Sequence, residues 1–305
     1  MVAQKKYKTF QPYRDGFVIA LLLALLLLSG CGGSSGGGDE EQAVDRFDAG
    51  AAYALVEEQV GYGQRPAGSP QLRRLAVELR RSMPKGQFEA IPGEPRLRNV
   101  VAVLPGREPG IVVGAHYDTL VKPRGFVGAN NGAAGSAVVV ESARALSGAP
   151  ADPGARKVSF VLFDGEEPAA GLPEESPDFY NEGLRGSRAY VDAHPGETSS
   201  MVLLDYVGNR GLYLPREASS TEELWSRLLI AAEAVGAQRF FSSEAGLEII
   251  DDHTPFLRAG VPAIDLIDWS YPGHSLADGL DKISRQSLDA VGETVVQLVE
   301  ELRSE

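Results

Sequence analysis

The segment Lys157-Val-Ser-Phe-Val-Leu-Phe-Asp164 is a short apolar run that closes on Gly165-Glu166-Glu167, and it narrows the possible folds more than any other stretch. A run of this length and composition reads as a buried strand, and its end places two adjacent carboxylates where the strand surfaces. In open α/β sheets the ligand crevice lies at the carboxyl ends of the strands. Two acids there repel each other, a conflict that one Ser would avoid and a cation would remove. One carboxylate can then bind the ion while its neighbour moves protons to and from substrate or water. Alone, the tripeptide is equally consistent with a solvated strand end.

Four other segments bring metal-type residues to the ends of strand-like runs. Ile111-Val-Val-Gly-Ala115 leads into His116-Tyr117-Asp118, and Met201-Val-Leu-Leu204 delivers Asp205. Gly128-Ala-Asn-Asn-Gly-Ala-Ala-Gly135 is a glycine-rich turn into a helix-like stretch, and Val261-Pro-Ala-Ile-Asp-Leu-Ile267 leads to His274-Ser-Leu-Ala-Asp278. The acids and imidazoles converge on one edge. Imidazole nitrogen and carboxylate oxygen at an open site suit zinc, and a set without Cys argues against a closed structural site.

The ordered set His-x-Asp, Gly-Ala-Asn, Asp-Gly-Glu-Glu, Gly-Ser-Arg, Leu-Leu-Asp and a late His resembles the superfamily of co-catalytic zinc aminopeptidases and animal-type glutaminyl cyclases, from about Phe47 to Leu302. Asp251-Asp-His-Thr-Pro-Phe-Leu-Arg-Ala-Gly-Val-Pro262 and Val60-Gly-Tyr-Gly-Gln-Arg-Pro-Ala-Gly-Ser69 look closer to the cyclase branch. The resemblance implies an α/β fold, three-layer α/β/α with a mixed, mostly parallel central sheet. It makes Glu167 a zinc ligand, Glu166 the proton shuttle and His274 the late zinc-binding His. Asp205 matches a zinc ligand of the two-metal peptidases and a catalytic hydrogen-bonding Asp of the single-metal cyclases. His116 matches a ligand only in the former. Asp251 falls on the acid that continues the hydrogen-bond chain from Asp205 in cyclases.

One departure outweighs the others. After Gly-Ala-Asn the family carries an Asp that binds zinc, bridging both ions in the peptidases, and this chain has Asn131. A neutral amide oxygen is a poorer ligand than a carboxylate and less suited to holding two cations. The resemblance therefore implies one zinc ion rather than two, held by Glu167, His274 and Asn131. Gly273 precedes His274 where cyclases have a Trp, and Asp265 stands where they have a His; Trp269 is available as an aromatic wall. The expected activity is conversion of an amino-terminal Gln of peptides to pyroglutamate with release of ammonia. The alternative is a zinc aminopeptidase hydrolysing amino-terminal residues. A third reading, a catalytically silent peptide-binding lipoprotein, rests on Asn131.

The first 31 residues read differently. Lys5, Lys6, Lys8 and Arg14 precede the apolar run from Phe17 to Leu28, which is too short for a span of about 20 residues, and Leu28-Ser29-Gly30-Cys31 follows. This reads as a lipoprotein export signal, with Cys31 as the residue that carries the lipid anchor. Cys31 is the only cysteine, so no internal disulfide competes for it. Residues 32–46, beginning Gly-Gly-Ser-Ser-Gly-Gly-Gly, read as a flexible tether, and 47–305 as a single catalytic domain. The expected location is the periplasmic or outer side of a membrane. Residues 1–31 carry four basic groups and one acid, so their removal takes the net charge from −13 to −16, which argues against nucleic acid as a partner.

The periodicities predict helices near 49–61, 69–82, 134–146, 186–192, 222–235, 252–259 and 287–302. They predict strands near 86–90, 99–104, 111–115, 158–163, 200–204, 211–214 and 262–267. Pro168 to Gly183, with Glu174, Glu175, Asp178 and Glu182, reads as an acidic loop over the site or as an ordinary solvated one. Asp252 is expected to cap a short helix, His194 to follow a helix end, and Trp225 to lie in the core.

Overall fold

A computed structural model describes residues 45–148, 152, 154–168 and 178–305. The export signal, Cys31, the tether before Asp45, and Glu174 and Glu175 lie outside the described residues. The chain begins with α1 (Ala49–Gly61) and α2 (Pro70–Ser82), then β1 (Gln87–Ala90), β2 (Arg98–Leu104), β3 (Arg107–His116), α3 (Gly135–Ser147) and β4 (Arg156–Phe163). It continues through α4 (Phe179–Glu182), α5 (Arg185–Ala193), β5 (Thr198–Leu204), β6 (Leu214–Arg216), α6 (Glu222–Ala234), β7 (Phe241–Ala245), α7 (Thr254–Arg258), β8 (Ala263–Leu266) and α8 (Arg285–Arg303). Helix starts follow capping chemistry: Asp48, Ser69 and Ser284 each accept from a backbone N–H of the first turn.

The main sheet has the order β1-β2-β4-β3-β5-β8. β4, β3, β5 and β8 run parallel, and β1 and β2 join them antiparallel. Alternation along the strands sends side chains to two cores. Ile111, Val113, Ala115, Phe160, Leu162, Val202 and Leu204 join α1, α2, α3, α6 and α8 on one face. Val112, Val161, Phe163, Met201 and Leu203 meet Tyr190 of α5 and Phe256 of α7 on the other. The fold is thus the three-layer α/β/α arrangement that the strand-like and helix-like runs imply, because strands apolar on both sides need cover on both.

Two local expectations are corrected. The strand expected near 211–214 starts only at Leu214 and pairs with β7, which was not foreseen, in a separate two-stranded sheet. Gly211 takes φ +75, a turn conformation that delays the extended run. Asp252 does not cap α7: its carboxylate accepts from Ser187 Oγ at 2.5 Å, and His253 takes the cap position without a side-chain bond. Trp225 is in the core, with its indole N–H on Ser242 C=O. Among the described residues no helix is long and apolar enough to cross a membrane.

Candidate metal centre and active site

β3 lies between β4 and β5, so the chain leaves β3 for one side and returns on the other. A crevice opens at such a switch point, and the side chains just beyond three parallel strand ends line it. His116 closes β3, Glu166 and Glu167 follow β4, and Asp205 follows β5. Gly165 turns the chain after β4 at φ +79, and a Cβ there would sit 2.7 Å from Leu97 and 2.9 Å from Arg185. Only glycine fits that turn, and it aims both glutamates into the crevice. Their backbone is held on two sides. The buried Asp118 carboxylate accepts from Glu166 N and Glu167 N, each at 3.2 Å. Arg185 donates through Nη2 to Glu167 C=O at 2.8 Å, and Leu184 N to Glu166 C=O at 3.0 Å.

His116 Nδ1 lies 3.6 Å from Asp118 and 3.8 Å from Glu166 Oε2, and its Nε2 lies 3.5 Å from Asp205 Oδ1. Nδ1 is buried with no hydrogen-bond partner among the described residues. Burial opposes the imidazolium, but Asp118, Asp205 and Glu166 prevail and raise the pKa well above its ordinary value. Burial and the adjacent Glu167 push Glu166 well above the carboxylate range. Burial likewise lifts Glu167 to about 8, against the opposing His116 and the Asn131 hydrogen bond.

Ligand atoms of His116, Glu166 and Glu167 lie within 4.8 Å of one another. The cluster fits a zinc ion: the orphaned His116 nitrogen and the Glu167 carboxylate are suitable donors, and a dication would relieve the repulsion between Glu167 and the neighbouring Glu166. Glu167, Asn131 and His274 are also brought together, but through a fourth residue. Asn131 Nδ2 donates to Glu167 Oε1 at 2.9 Å and reaches Tyr206 Oη at 3.4 Å, and Tyr206 Oη contacts His274 Nε2. Burial, with His116 nearby, lowers the His274 pKa to about 4, so its ring is neutral. The glycine-rich turn is fixed by Asp278, whose two oxygens accept from Asn130 N at 2.8 Å and Asn131 N at 3.0 Å. The fully buried Arg65 binds the carbonyls of Val127 and Gly128 just before it.

Asp251 is buried, and burial together with Asp205 raises its pKa to about 6. Behind it lie Asp252, His253, Asp265 and Glu217, all buried. Among the described residues neither Asp265 carboxylate oxygen has a hydrogen-bond partner, His253 Nδ1 lies 3.8 Å from Oδ2, and burial with Asp251 nearby pushes the Asp265 pKa well up. Of the acidic loop, Asp178 to Glu182 form α4 and its approach, with the Arg258 guanidinium 3.4 Å above the Tyr180 ring. Sequence reasoning missed Asp118, Asp278, Arg65 and Tyr206. Asp118 and Asp278 stood within quoted motifs, and Arg65 within the cyclase-like start; nothing local marked Tyr206.

The sequence profile of peptidase family M28 matches residues 99–299, which span His116, His274, Glu166, Glu167, Asp205 and Asp251. The chain belongs to peptidase family M28. Aminopeptidase YwaD of Bacillus subtilis is 29% identical over 215 residues, covering 64% of this chain and 42% of that protein. The glutaminyl-peptide cyclotransferase of Bos taurus is 29% identical over 228 residues, covering 63% and 62%. The chain thus spans less than two thirds of the length of these relatives. A solved glutaminyl cyclase from an Acidobacteriales bacterium superposes with a TM-score of 0.72 at 26% identity, covering 88% of this chain and 99% of that one.

Proposed function

We propose that this M28 chain is a zinc-dependent glutaminyl-peptide cyclotransferase-like enzyme that converts an amino-terminal Gln to pyroglutamate and releases ammonia. The observation that carries the reading is the match in fold to a bacterial glutaminyl cyclase over 99% of that chain. His116, Glu167, Asp205, His274 and Asn131 are the residues available to hold zinc, and Glu166 the one to carry protons. Zinc, when bound, supplies Lewis-acid polarisation of a carbonyl oxygen. The substrate's α-amine nitrogen forms a bond to its own γ-carbon, and the bond from that carbon to the amide nitrogen breaks. Glu166, buried beside His116, takes the amine proton and returns it to the departing ammonia. Asp205 and the protonatable Asp251 hold the charge balance around it.

Aminopeptidase action is the second reading, and one observation favours it. His116, a ligand only in the two-metal peptidases by resemblance, falls within ligand distance of Glu166 and Glu167. Glu166 would then deprotonate water for attack on the first peptide bond. Zinc stoichiometry with parallel assays of a Gln-initiated peptide and an aminoacyl chromogenic substrate separates the readings. One ion with ammonia release supports the cyclase, and two ions with amino-acid release support the peptidase. Absence of both activities supports the silent binder that Asn131 suggests.

We further propose that the protein is an exported lipoprotein anchored through Cys31, with peptide or protein amino termini as its substrates. The basic residues before the apolar run, the sole cysteine at its end and the Gly/Ser stretch after it support this reading.

A further inference from the structure

Residues 119–128 join Asp118, which holds the backbone of both glutamates, to the glycine-rich turn, and they form no helix or strand. Two neighbouring side chains from the turn between α1 and α2 fix this loop. Gln64 Nε2 faces the carbonyls of Leu120, Val121 and Pro123 at 2.9, 2.9 and 3.1 Å, and its Oε1 accepts from Gly125 N at 3.0 Å. Arg65 takes the carbonyls of Val127 and Gly128, and its own backbone pairs with Thr119. Phe126 is buried and anchors the loop from below. A surface loop held in place beside a crevice is where binding residues concentrate.

The loop tip, Lys122 to Gly125, stands at the mouth of the crevice. A Cβ on Gly125 would lie 4.0 Å from Cδ2 of the exposed Leu276, two residues beyond His274. Lys122 and Arg124 are themselves exposed, and neither side chain has an ionic or hydrogen-bond partner among the described residues. The chain carries a net charge of −13, and the crevice wall holds the buried Glu166, Glu167, Asp205 and Asp251. Such a wall attracts a peptide's amino terminus and repels the carboxylates that follow it. Two unpaired cations reverse that sign at one place on the rim. We propose that Lys122 and Arg124 form a carboxylate-binding rim that makes the site prefer peptides with an acid group two to four residues from the amino terminus. An extended peptide advances about 3.3–3.6 Å per residue, so those positions lie about 3–11 Å beyond the reacting residue, within reach of long side chains on the tip. The acid is an Asp or Glu side chain or the C-terminus of a short peptide, which present the same group to a guanidinium. This inference rests on the proposed enzyme reading and names its substrate class.

The test compares kcat/KM of the zinc-loaded enzyme for the tetrapeptide amides Gln-Ala-Glu-Ala and Gln-Ala-Ala-Ala, and for Gln-Ala-Ala with a free or an amidated C-terminus. In wild type the acidic member of each pair is expected to be favoured by about two- to fivefold per engaged cation, through KM rather than kcat, because the rim holds ground state and transition state alike. A preference confined to one pair identifies the side chain or the C-terminus as the source of the carboxylate. The preference is expected to vanish in Lys122→Ala combined with Arg124→Ala, to reverse in Arg124→Glu, and to weaken between about 0.02 and 0.5 M salt. It is expected to persist in Lys85→Ala, which removes the same charge before β1; β1 runs parallel to β4, so its start lies at the opposite edge of the sheet. An acidic preference below about twofold in both wild-type pairs, its survival in the double variant, or its equal loss in Lys85→Ala overturns the proposal. If wild type turns over no Gln-initiated peptide, the enzyme reading falls. Calorimetric titration of the same four peptides then decides the rim: tighter binding of the acidic members that the double variant loses upholds it, and equal binding or none overturns it.

Discussion

Asn131→Asp is the most informative single change at the centre. In the metal-free protein the Asn131 amide donates to Glu167 Oε1 at 2.9 Å. An Asp would put a second carboxylate there, and two unit charges about 3 Å apart at an effective dielectric of 20 repel by roughly 6 kcal/mol. The pair escapes most of this by taking up a proton, which Glu167, already raised to about 8, accepts readily. The residual cost is about that of one hydrogen bond to a charged group, ~1.5–3 kcal/mol, or a melting temperature lower by roughly 3–10 °C. Zinc reverses the sign by replacing the shared proton. Affinity at pH 7 should rise at least about tenfold, equivalent to ~1.4 kcal/mol, and the gain should grow between pH 6 and 8 as that proton becomes easier to displace. Chelator-competition titrations and melts with and without zinc measure both effects. Equal zinc affinity in the two proteins, or an unchanged metal-free melting temperature, would refute the contact between residue 131 and the metal centre.

Glu166→Gln should cut turnover by about 10²–10⁴-fold while keeping zinc content within twofold of wild type, read by metal analysis beside activity. Glu167→Ala and His274→Ala should each lose zinc on dialysis against a mild chelator, because removing one donor from a small set weakens binding severely; full retention in both would misplace the ion. Asp251→Asn should stabilise the metal-free protein at pH 8. The folded-state pKa of about 6 lies above the unfolded value of about 3.9, so the ionised form is penalised by about 2–3 kcal/mol above pH 6. That penalty disappears as pH falls towards 4, and chemical denaturation at pH 8 and 4 checks the difference. Cys31→Ala should shift the protein from the membrane to the soluble fraction of a cell lysate; continued sedimentation of a processed protein would point to another anchor.

Much of the site was legible because the chemistry falls at strand ends. The apolar run of β4 and the Gly-Glu-Glu after it locate the two glutamates, and the same logic places His116 and Asp205 on the same edge. The helices near 49–61, 69–82 and 287–302 were legible from periodicity, and the structure adds the caps Asp48, Ser69 and Ser284 that start them. Local logic failed where a side chain bonds far from its own segment. Asp252 looks like a cap and instead takes the Ser187 hydroxyl of another helix. β7 has only Phe241 buried, so no periodicity announced it.

The sequence by itself determined the order of strands and helices apart from α4 and β7, the family and the inventory of acids and imidazoles. Period-two alternation and capping act within a few residues and survive in a one-dimensional record. Only the tertiary structure decided that His116 stands with Glu166 and Glu167. It alone set the Asp118 and Asp278 carboxylates on backbone N–H groups 48 and 147 residues away. It also put the Tyr206 ring where residue 273 would have its side chain. Those choices depend on which side chain fills a given volume at close packing, and that volume exists only once β5, β8 and the segment before His274 have met.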